Sequence, residues 1–240
     1  MDNNKLGHHI SEKFNKDLEN IRDKVLVMGG LVEQQIELAI HAFTTGDMEM
    51  ADQVIKQDNQ VDAMEVDIDQ ECCEIIALRQ PTAFDLRMLI ATIKIVREIE
   101  RAGDKAERIA QIAIQLAGTD NLYHNQHELE HIAEVIKEMM HLALDAFARA
   151  NIDNITSITG RDENVNREYE NIIRRLITRM MEDPRNITRS LDVIWTARAI
   201  ERIGDYACNI CEHLIYMING VDVRHLTQKE LEDRLKNSAS

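Results

Sequence analysis

The chain has 240 residues, of which 44% are hydrophobic, 30% charged and only 4% aromatic. Two prolines and nine glycines leave few places for sheet turns, and the abundant residues are good helix formers, so an all-α fold is expected. The 28 Lys and Arg against 43 Asp and Glu give a formal net charge of −15. Such a surface repels phosphate backbones, which argues against nucleic acid as a primary partner.

Residues 1–4 are polar and no apolar segment follows them, so no secretory signal is expected. No run approaches the roughly eighteen apolar residues of a spanning helix, so any membrane contact would be peripheral and made through partners. The cysteines form two tight pairs within helical patterns, Cys72 with Cys73 and Cys208 with Cys211. Adjacent cysteines cannot bridge each other without strain, and a reduced, cytoplasmic protein is the simplest interpretation.

The sequence is an internal duplication. Residues 99–104 (IERAGD) return as residues 200–205 (IERIGD), an offset of 101 residues, while landmarks further upstream return with an offset of 104. The two prolines, Pro81 and Pro184, lie in the same interval of each copy. A duplication with a three-residue deletion after the second segment of copy two accounts for these matches.

Each copy divides into three helical stretches, separated by turn residues and prolines. The predicted helices are 11–44, 48–79, 82–117, 127–150, 152–182 and 186–219. Short connections force antiparallel neighbours. We therefore expect two tandem repeated antiparallel three-helix bundles, residues 8–118 and 122–220, with a hinge at 118–121. A polar tail, residues 221–240, adds a short helix.

Some carboxylates occupy positions where apolar residues are expected on the third helix of each copy. At 100° per residue, Glu100 lies on the apolar stripe of its helix, and Asp104 lies one turn further on. Glu201 and Asp205 repeat this arrangement in the second copy.

The second helix of copy one shows the same pattern. Its heptad stripe places Asp58 and Glu65 at core positions, with Asp62 one turn from Asp58. The corresponding residues of copy two are Asp162, Tyr169 and Asn166.

A buried carboxylate needs compensation, and two such helices side by side bring four acids together. Like charges that close cannot all stay ionised without a cation. The acids described above are therefore candidate positions for a bound cation. Ions that prefer oxygen fit these side chains: magnesium, manganese, calcium, iron or zinc. Gly103 and Gly204 precede the second acid and leave room for an ion or a close helix.

Intrahelical ion pairing is the alternative explanation. Arg97 and Arg108 flank the first pair of acids on the third helix, and Arg198 precedes Glu201 by three residues, which are ordinary pairing distances. The duplication favours the cation, because an incidental ion pair has less reason to recur in both copies.

Other patterns are weaker. Cys208 and Cys211 match half of a zinc knuckle but read more simply as core thiols, because no second Cys-x-x-Cys exists. His124, His127 and His131 could share one helical face, although a solvated helix start explains them as well.

Two Glu-x-x-His runs end at His131 and His141 and match di-iron bundles, but that motif must come from two helices and both runs fall on one. Nothing matches a phosphate loop or a catalytic triad, so the chain is not expected to be an enzyme.

The doubled Glu-Arg-x-Gly-Asp motif on repeated three-helix units resembles the PhoU family of bacterial phosphate-signalling regulators. Residues 28–33 (MGGLVE), 79–87 (RQPTAFDLR) and 224–225 (RH) are similar to family signatures as well. The similarity covers the chain from about residue 9 to residue 225.

The resemblance implies a cytoplasmic homodimer of two similar three-helix bundles. It also implies multinuclear metal clusters of divalent or trivalent ions on Glu/Asp-x-x-x-Asp motifs. The metal ligands that the resemblance predicts in this chain are Asp58, Asp62, Glu100, Asp104, Asp162, Glu201 and Asp205. Asn166 departs from the acid of that motif, which puts the completeness of the second site in question.

The resemblance further implies a negative regulator of phosphate uptake and of the phosphate-starvation response. Such a protein would link the ATPase subunit of the phosphate ABC transporter to the sensor histidine kinase. Two other interpretations remain open from the sequence: a ferritin-like di-iron carboxylate protein, and a metal-free helical scaffold in which arginines satisfy the acids.

Overall fold

A computed structural model of the chain describes residues 12–117 and 126–238, and all regular structure in these ranges is helical. The predicted all-α fold of tandem helical bundles is confirmed. The helices are α1 (Glu12–Thr45), α2 (Met48–Arg79), α3 (Ala83–Leu116), α4 (Gln126–Arg149), α5 (Ile155–Glu182), α6 (Ile187–Asn219) and α7 (Gln228–Ser238), with a 3-10 turn at Pro184–Asn186. The predicted hinge at 118–121, residues 1–4 and His124 lie outside the described residues.

Local polar contacts set several helix ends. Asp47 caps α2 by accepting hydrogen bonds from two backbone N–H groups of the first turn, and Gln80 ends α2 in the left-handed conformation, with φ of 48°. Gly220 ends α6 in the same conformation, with φ of 71°. The helix α5 begins later than predicted because the Asn151 side chain accepts the N–H of Asp153 in a turn, at 2.6 Å.

Packing joins the two repeats into one body. The helices α1, α2 and α3 pack against one another, as do α4, α5 and α6, and α3 lies along α6 at the centre. The helices α1 and α4 also touch. Because of these contacts, the buried apolar side chains of both bundles form one continuous core.

A buried polar network crosses the α3–α6 contact. Glu98 is only 8% exposed, and it accepts hydrogen bonds from Arg101 on its own helix (3.1 Å) and from Asn209 on α6 (2.9 Å). The Arg101 guanidinium lies over the Tyr206 ring, 4.5 Å from its centroid. Ala199 occupies the position of Glu98 in the second repeat, so only the first repeat supplies the carboxylate of this network.

The predicted short helix of the tail is α7, and it packs on α5. Its Leu231 is 6% exposed, and Gln228 donates a hydrogen bond to the Thr156 carbonyl at 3.1 Å. Of the helices in the described ranges, none combines the length and apolarity needed to cross a bilayer.

Exposed apolar side chains follow the outer sides of α5 and α6 next to the 3-10 turn that joins them. We call this set the hairpin strip: Ile177, Met181, Ile187, Leu191 and Trp195. Met181 is 80% exposed and Trp195 is 57% exposed. A run of exposed apolar side chains on neighbouring helices is typical of a protein-contact surface.

We predict that Asn209→Ala lowers the free energy of unfolding by about 1–3 kcal/mol, because it removes a hydrogen bond to the buried Glu98 carboxylate. Urea denaturation followed by far-UV circular dichroism measures this loss. Arg108→Ala is the matched control, since Arg108 occupies the same position in the other repeat, is exposed and hydrogen bonds Gln111 on its own helix. A loss of equal size in both variants would contradict the prediction.

Candidate functional site

The first group of predicted acids lies between α2 and α3. We call this set, extended by Glu65 and Glu107, the first cluster: Asp58, Asp62, Glu65, Glu100, Asp104 and Glu107. Asp58 is 9% exposed, Asp62 is exposed, and the other four are half-buried. The helix spacing therefore buries Asp58 and partly buries Glu65 and Glu100, as the sequence predicts, while Asp62 is exposed to solvent.

Burial and mutual repulsion act on Asp58. Its pKa rises to about 6, mainly because of desolvation and then because of the negative charges of Glu107, Asp62 and Asp104. The side-chain amide of Gln35 lies close enough to act as a donor to the Asp58 carboxylate, which opposes the rise in its pKa. The Asp58 carboxylate therefore loses part of its charge near neutral pH unless a positive charge approaches it.

Glu100 shows the same effect on α3. Burial raises its pKa to about 7, and the charges of Asp104 and Glu65 add to the shift. Arg97 opposes it, but the Arg97 side chain is 71% exposed and its nearest carboxylate oxygen is that of Glu65, at 3.8 Å. One distant, solvated guanidinium is thus the main internal counter-charge that acts on Glu100.

Gly103 brings a third helix to the first cluster. A β-carbon built on Gly103 would lie 3.2 Å from Gln35 Oε1 and 3.4 Å from Asp58 Oδ1. Gln35 comes from α1 and is completely buried. Neither of its side-chain polar atoms, nor Asp58 Oδ1, makes a hydrogen bond of normal geometry with any described residue.

Gln35 is not among the predicted site residues, because it belongs to none of the carboxylate, cysteine or histidine patterns of the sequence. A signal was available, since the buried stripe of α1 runs through Met28, Val32, Ile36 and Ala39, and Gln35 is the polar residue on that stripe. A buried amide without a partner is costly, which marks it as a position that needs explanation.

The second cluster, between α5 and α6, has fewer acids. Its members at the corresponding positions are Asp162, Asn166, Tyr169, Glu201, Asp205 and Cys208. Asn166 donates a hydrogen bond to Asp162 Oδ2 at 2.8 Å. The departure from an acid at Asn166 therefore replaces a repulsive neighbour of Asp162 by a donor.

Arginines neutralise the acids of α6. Arg198 Nη1 lies 2.9 Å from Glu201 Oε1, and Arg202 Nη1 lies 2.9 Å from Asp205 Oδ2. Arg202 also approaches Glu201 Oε2 with its Nε, at 3.9 Å. The ion-pairing explanation offered by the sequence thus describes the contact between Arg198 and Glu201, and the Arg202 contacts are additional to it.

Arg101 of α3 corresponds to Arg202 of α6, but it pairs with a different acid. Arg101 pairs with Glu98, three residues earlier, at 3.1 Å, whereas Arg202 pairs with an acid three residues later. Arg108, the other candidate counter-ion on α3, hydrogen bonds Gln111. The negative charges of the first cluster are therefore neutralised by arginines less completely than those of the second cluster.

Burial nevertheless raises the pKa values of acids in the second cluster as well. The pKa of Asp162 rises to about 6 because of desolvation and the charge of Asp205, against the Asn166 hydrogen bond. Burial and Asp205 also raise the pKa of Glu201, and Arg198 and Arg202 oppose that rise.

The predicted ligands do not form a finished metal site. Across residues 12–117 and 126–238, no three His, Cys, Asp or Glu side chains converge closely enough to hold an ion as they stand. Within the same ranges, Asp58 Oδ1, Asp162 Oδ1 and Glu201 Oε2 are buried and make no hydrogen bond. Buried oxygens beside a glycine in both clusters fit a cation that draws the carboxylates inward, and the first cluster, with less internal neutralisation, fits it better.

The weaker sequence patterns form no common site. Cys208 and Cys211 are free thiols, and burial raises the pKa of Cys211 to about 12. His131 lies 3.5 Å from Glu168, and the side chain of His127 lies outside the described residues.

The two Glu-x-x-His runs of α4 make separate contacts on the surface. His141 Nδ1 lies 2.9 Å from Glu33 on α1, and Glu138 binds Arg161 on α5 at 2.6 Å. These contacts point in different directions, which does not favour a di-iron centre on α4.

Two three-helix repeats joined along α3 and α6, each with carboxylates between its second and third helices, define a class of duplicated three-helix bundle. The PhoU domain family matches residues 25–113 and 129–214 of this chain. The chain therefore belongs to the PhoU family.

Three relatives extend this result. The phosphate-specific transport system accessory protein PhoU of Escherichia coli is 44% identical over 100% of this chain and 99% of its own length. The crystal structure of PhoU from Pseudomonas aeruginosa is 45% identical and covers 87% of this chain and 100% of that chain, with a TM-score of 0.84. The phosphate transport system regulatory protein PhoU from Streptococcus pneumoniae is 28% identical, covers 88% and 99%, and has a TM-score of 0.81. These names describe accessory and regulatory proteins, in agreement with the prediction that the chain is not an enzyme.

We predict that the acids of the first cluster destabilise the fold as pH rises. Because the folded-state pKa of Asp58 (about 6) and of Glu100 (about 7) exceed the ordinary carboxyl values, the folded chain binds protons more tightly than the unfolded chain. Their stabilising contribution is complete below about pH 4 and is lost as pH rises through the folded-state values. Asp58→Asn should therefore gain stability relative to the natural chain between pH 4 and pH 8, by on the order of 1–3 kcal/mol.

Urea denaturation at pH 4 and pH 8, with a chelator present, measures this difference. Asp183→Asn is the control of opposite sign, because Arg185 lowers the pKa of Asp183 and the charge of that side chain stabilises the fold. An equal difference between the natural chain and Asp58→Asn at pH 4 and pH 8 would show that the buried charge carries no cost.

Proposed function

We propose that this chain regulates phosphate-specific transport, and that it acts as a negative regulator of phosphate uptake and of the phosphate-starvation response. The observation that carries the proposal is the match along the full length of an accessory protein of the phosphate-specific transport system, at 44% identity. A regulatory protein of phosphate transport in a second organism shares the fold over 88% of this chain.

The regulation works through protein contacts. The chain is a cytoplasmic homodimer that links the ATPase subunit of the phosphate transporter to the sensor histidine kinase. The hairpin strip supports this, because exposed apolar side chains such as Met181 and Trp195 suit a protein partner. The net charge of −15 favours partner surfaces with a basic rim.

Metal ions stabilise the adaptor. The ligands are those that the sequence indicates: Asp58, Asp62, Glu100, Asp104, Asp162, Glu201 and Asp205. Bound iron, zinc, magnesium or manganese would supply positive charge to carboxylates that otherwise repel one another. The raised pKa values of Asp58 and Glu100 and the buried Asp58 Oδ1 support this part of the proposal.

A complementation assay tests the regulatory role. In an Escherichia coli strain that lacks its own PhoU, this chain should restore repression of a phosphate-starvation reporter in high phosphate and permit full expression in low phosphate. Tagged chain should capture the transporter ATPase or the kinase from the same cells. A reporter that stays derepressed while the chain accumulates, with neither partner captured at either phosphate level, would refute the adaptor.

The hairpin strip gives a sharper form of this test. Trp195→Glu should weaken capture of a partner at least tenfold and relieve repression, because it places a charge in an apolar contact. Its thermal stability should stay close to that of the natural chain, since the side chain is 57% exposed. Val66→Glu is the matched control, because Val66 is 64% exposed on α2 of the other bundle, and it should repress normally.

A further inference from the structure

We propose that the Gln35 side-chain carbonyl is a cation ligand, that it joins Asp58 in an all-oxygen site of the first bundle, and that the second bundle has no equivalent tight site. The inference rests on the cation-binding part of the proposed function and adds a ligand from α1 and a difference between the repeats. Its ion is a divalent cation that prefers oxygen, such as Mn²⁺.

Gln35 faces Asp58, and its amide lies close enough to that carboxyl to act as a donor and to lower its pKa. It is completely buried in the core stripe of α1, yet neither polar atom of its amide makes a hydrogen bond of normal geometry within the described ranges. A buried amide in that condition costs on the order of 1–3 kcal/mol. A bound cation removes part of that cost, because it takes the amide oxygen as a ligand.

The position of this oxygen points to a site shared by three helices. Gln35 Oε1 and Asp58 Oδ1 lie against the same point of α3, where Gly103 has no β-carbon. Both side chains are at least nine-tenths buried, and both oxygens lack a hydrogen bond within the described part of the chain. One neutral and one charged oxygen, with further carboxylates on α2 and α3, form the kind of donor set that Mn²⁺, Mg²⁺ and Ca²⁺ take.

The second repeat replaces these oxygen donors position by position. The offset of 104 puts Met139 in place of Gln35, Asn166 in place of Asp62 and Tyr169 in place of Glu65, and the offset of 101 puts Cys208 in place of Glu107. Gly204 supports the correspondence, since a β-carbon there would lie 3.5 Å from Asp162 Oδ1, the counterpart of Asp58, and 3.4 Å from Ile136, the counterpart of Val32. No amide oxygen is among its three nearest atoms, whereas Gln35 Oε1 is the nearest atom at Gly103. Sulfur atoms of Met and Cys are poor ligands for cations that prefer oxygen.

The second repeat also supplies its own positive charge. Arg198 and Arg202 pair with Glu201 and Asp205 at 2.9 Å, whereas Arg101 of the first repeat is held by Glu98 at the contact between the bundles. A cation that entered the second cluster would have to displace two guanidinium groups. The first cluster offers more carboxylates, an amide oxygen and less competition.

Titration of the metal-free chain with Mn²⁺ tests the inference, with electron paramagnetic resonance to count free Mn²⁺ and calorimetry to give the affinity. The natural chain should show one tight binding step that belongs to the first bundle. Gln35→Met, which installs the residue of the other repeat, should weaken that step at least tenfold. Gln35→Glu retains the oxygen donor and should bind Mn²⁺ at least as tightly as the natural chain.

One control locates the site and a second checks folding. Met139→Gln restores the amide to the second bundle only and should leave the tight step unchanged. Urea denaturation with a chelator present checks folding, and Gln35→Met should be at least as stable as the natural chain there, because it removes a buried amide without a partner.

The outcomes separate this inference from the rest of the proposed function. Two equal tight steps, or a Gln35→Met variant that binds as the natural chain does, would overturn the inference while leaving cation binding intact. No Mn²⁺ binding to the natural chain would overturn both. In that case a hydrogen bond between Gln35 and a protonated Asp58 would explain the pair, and the reporter assay would still decide the regulatory role.

Discussion

Burying carboxylate oxygens between helices is the constraint on which the functional part of this molecule depends. A carboxylate removed from water must find a positive charge, a set of donors or a proton. The second bundle provides guanidinium groups on the same helix and an asparagine donor beside Asp162. The first bundle provides little of this, so Asp58 and Glu100 move toward protonation, and the site remains responsive to whatever cation or pH surrounds it.

The contact between α3 and α6 connects that constraint to the architecture. Glu98 draws Arg101 toward the centre of the molecule, where Asn209 and the Tyr206 ring complete the contact. The same interaction removes Arg101 from the acid three residues further along its helix. Because Arg101 takes part in the contact that joins the bundles, it does not neutralise Asp104 of the first cluster in the way that Arg202 neutralises Asp205 of the second. The Arg101 side chain therefore links the stability of the α3–α6 interface to the charge of the first cluster.

Much of the fold follows from the sequence, because helix periodicity and turn residues are local. The helix α2 begins and ends where the pattern predicts. Asp58 is buried on α2 and Glu100 is half-buried on α3, as 100° per residue leads one to expect. The pairing of Arg101 with Glu98 could not be predicted from such local patterns. Arg101 and Arg202 have the same acid three residues ahead, and the difference depends on Glu98 and on a residue of another helix. Gln35 was visible as a polar residue on an apolar stripe, but its meeting with Asp58 at Gly103 depends on how three helices pack.

The only tryptophan of the chain has a consequence of a different kind. Trp195 stands 57% exposed on α6, six residues before Glu201 and within the hairpin strip. An indole in water emits at longer wavelength than one that is covered, so binding of any molecule over this face changes the colour of the intrinsic fluorescence. The emission wavelength of Trp195 therefore reports binding at the second bundle without a label. Because the first bundle contains no tryptophan, that signal distinguishes events at one repeat from events at the other.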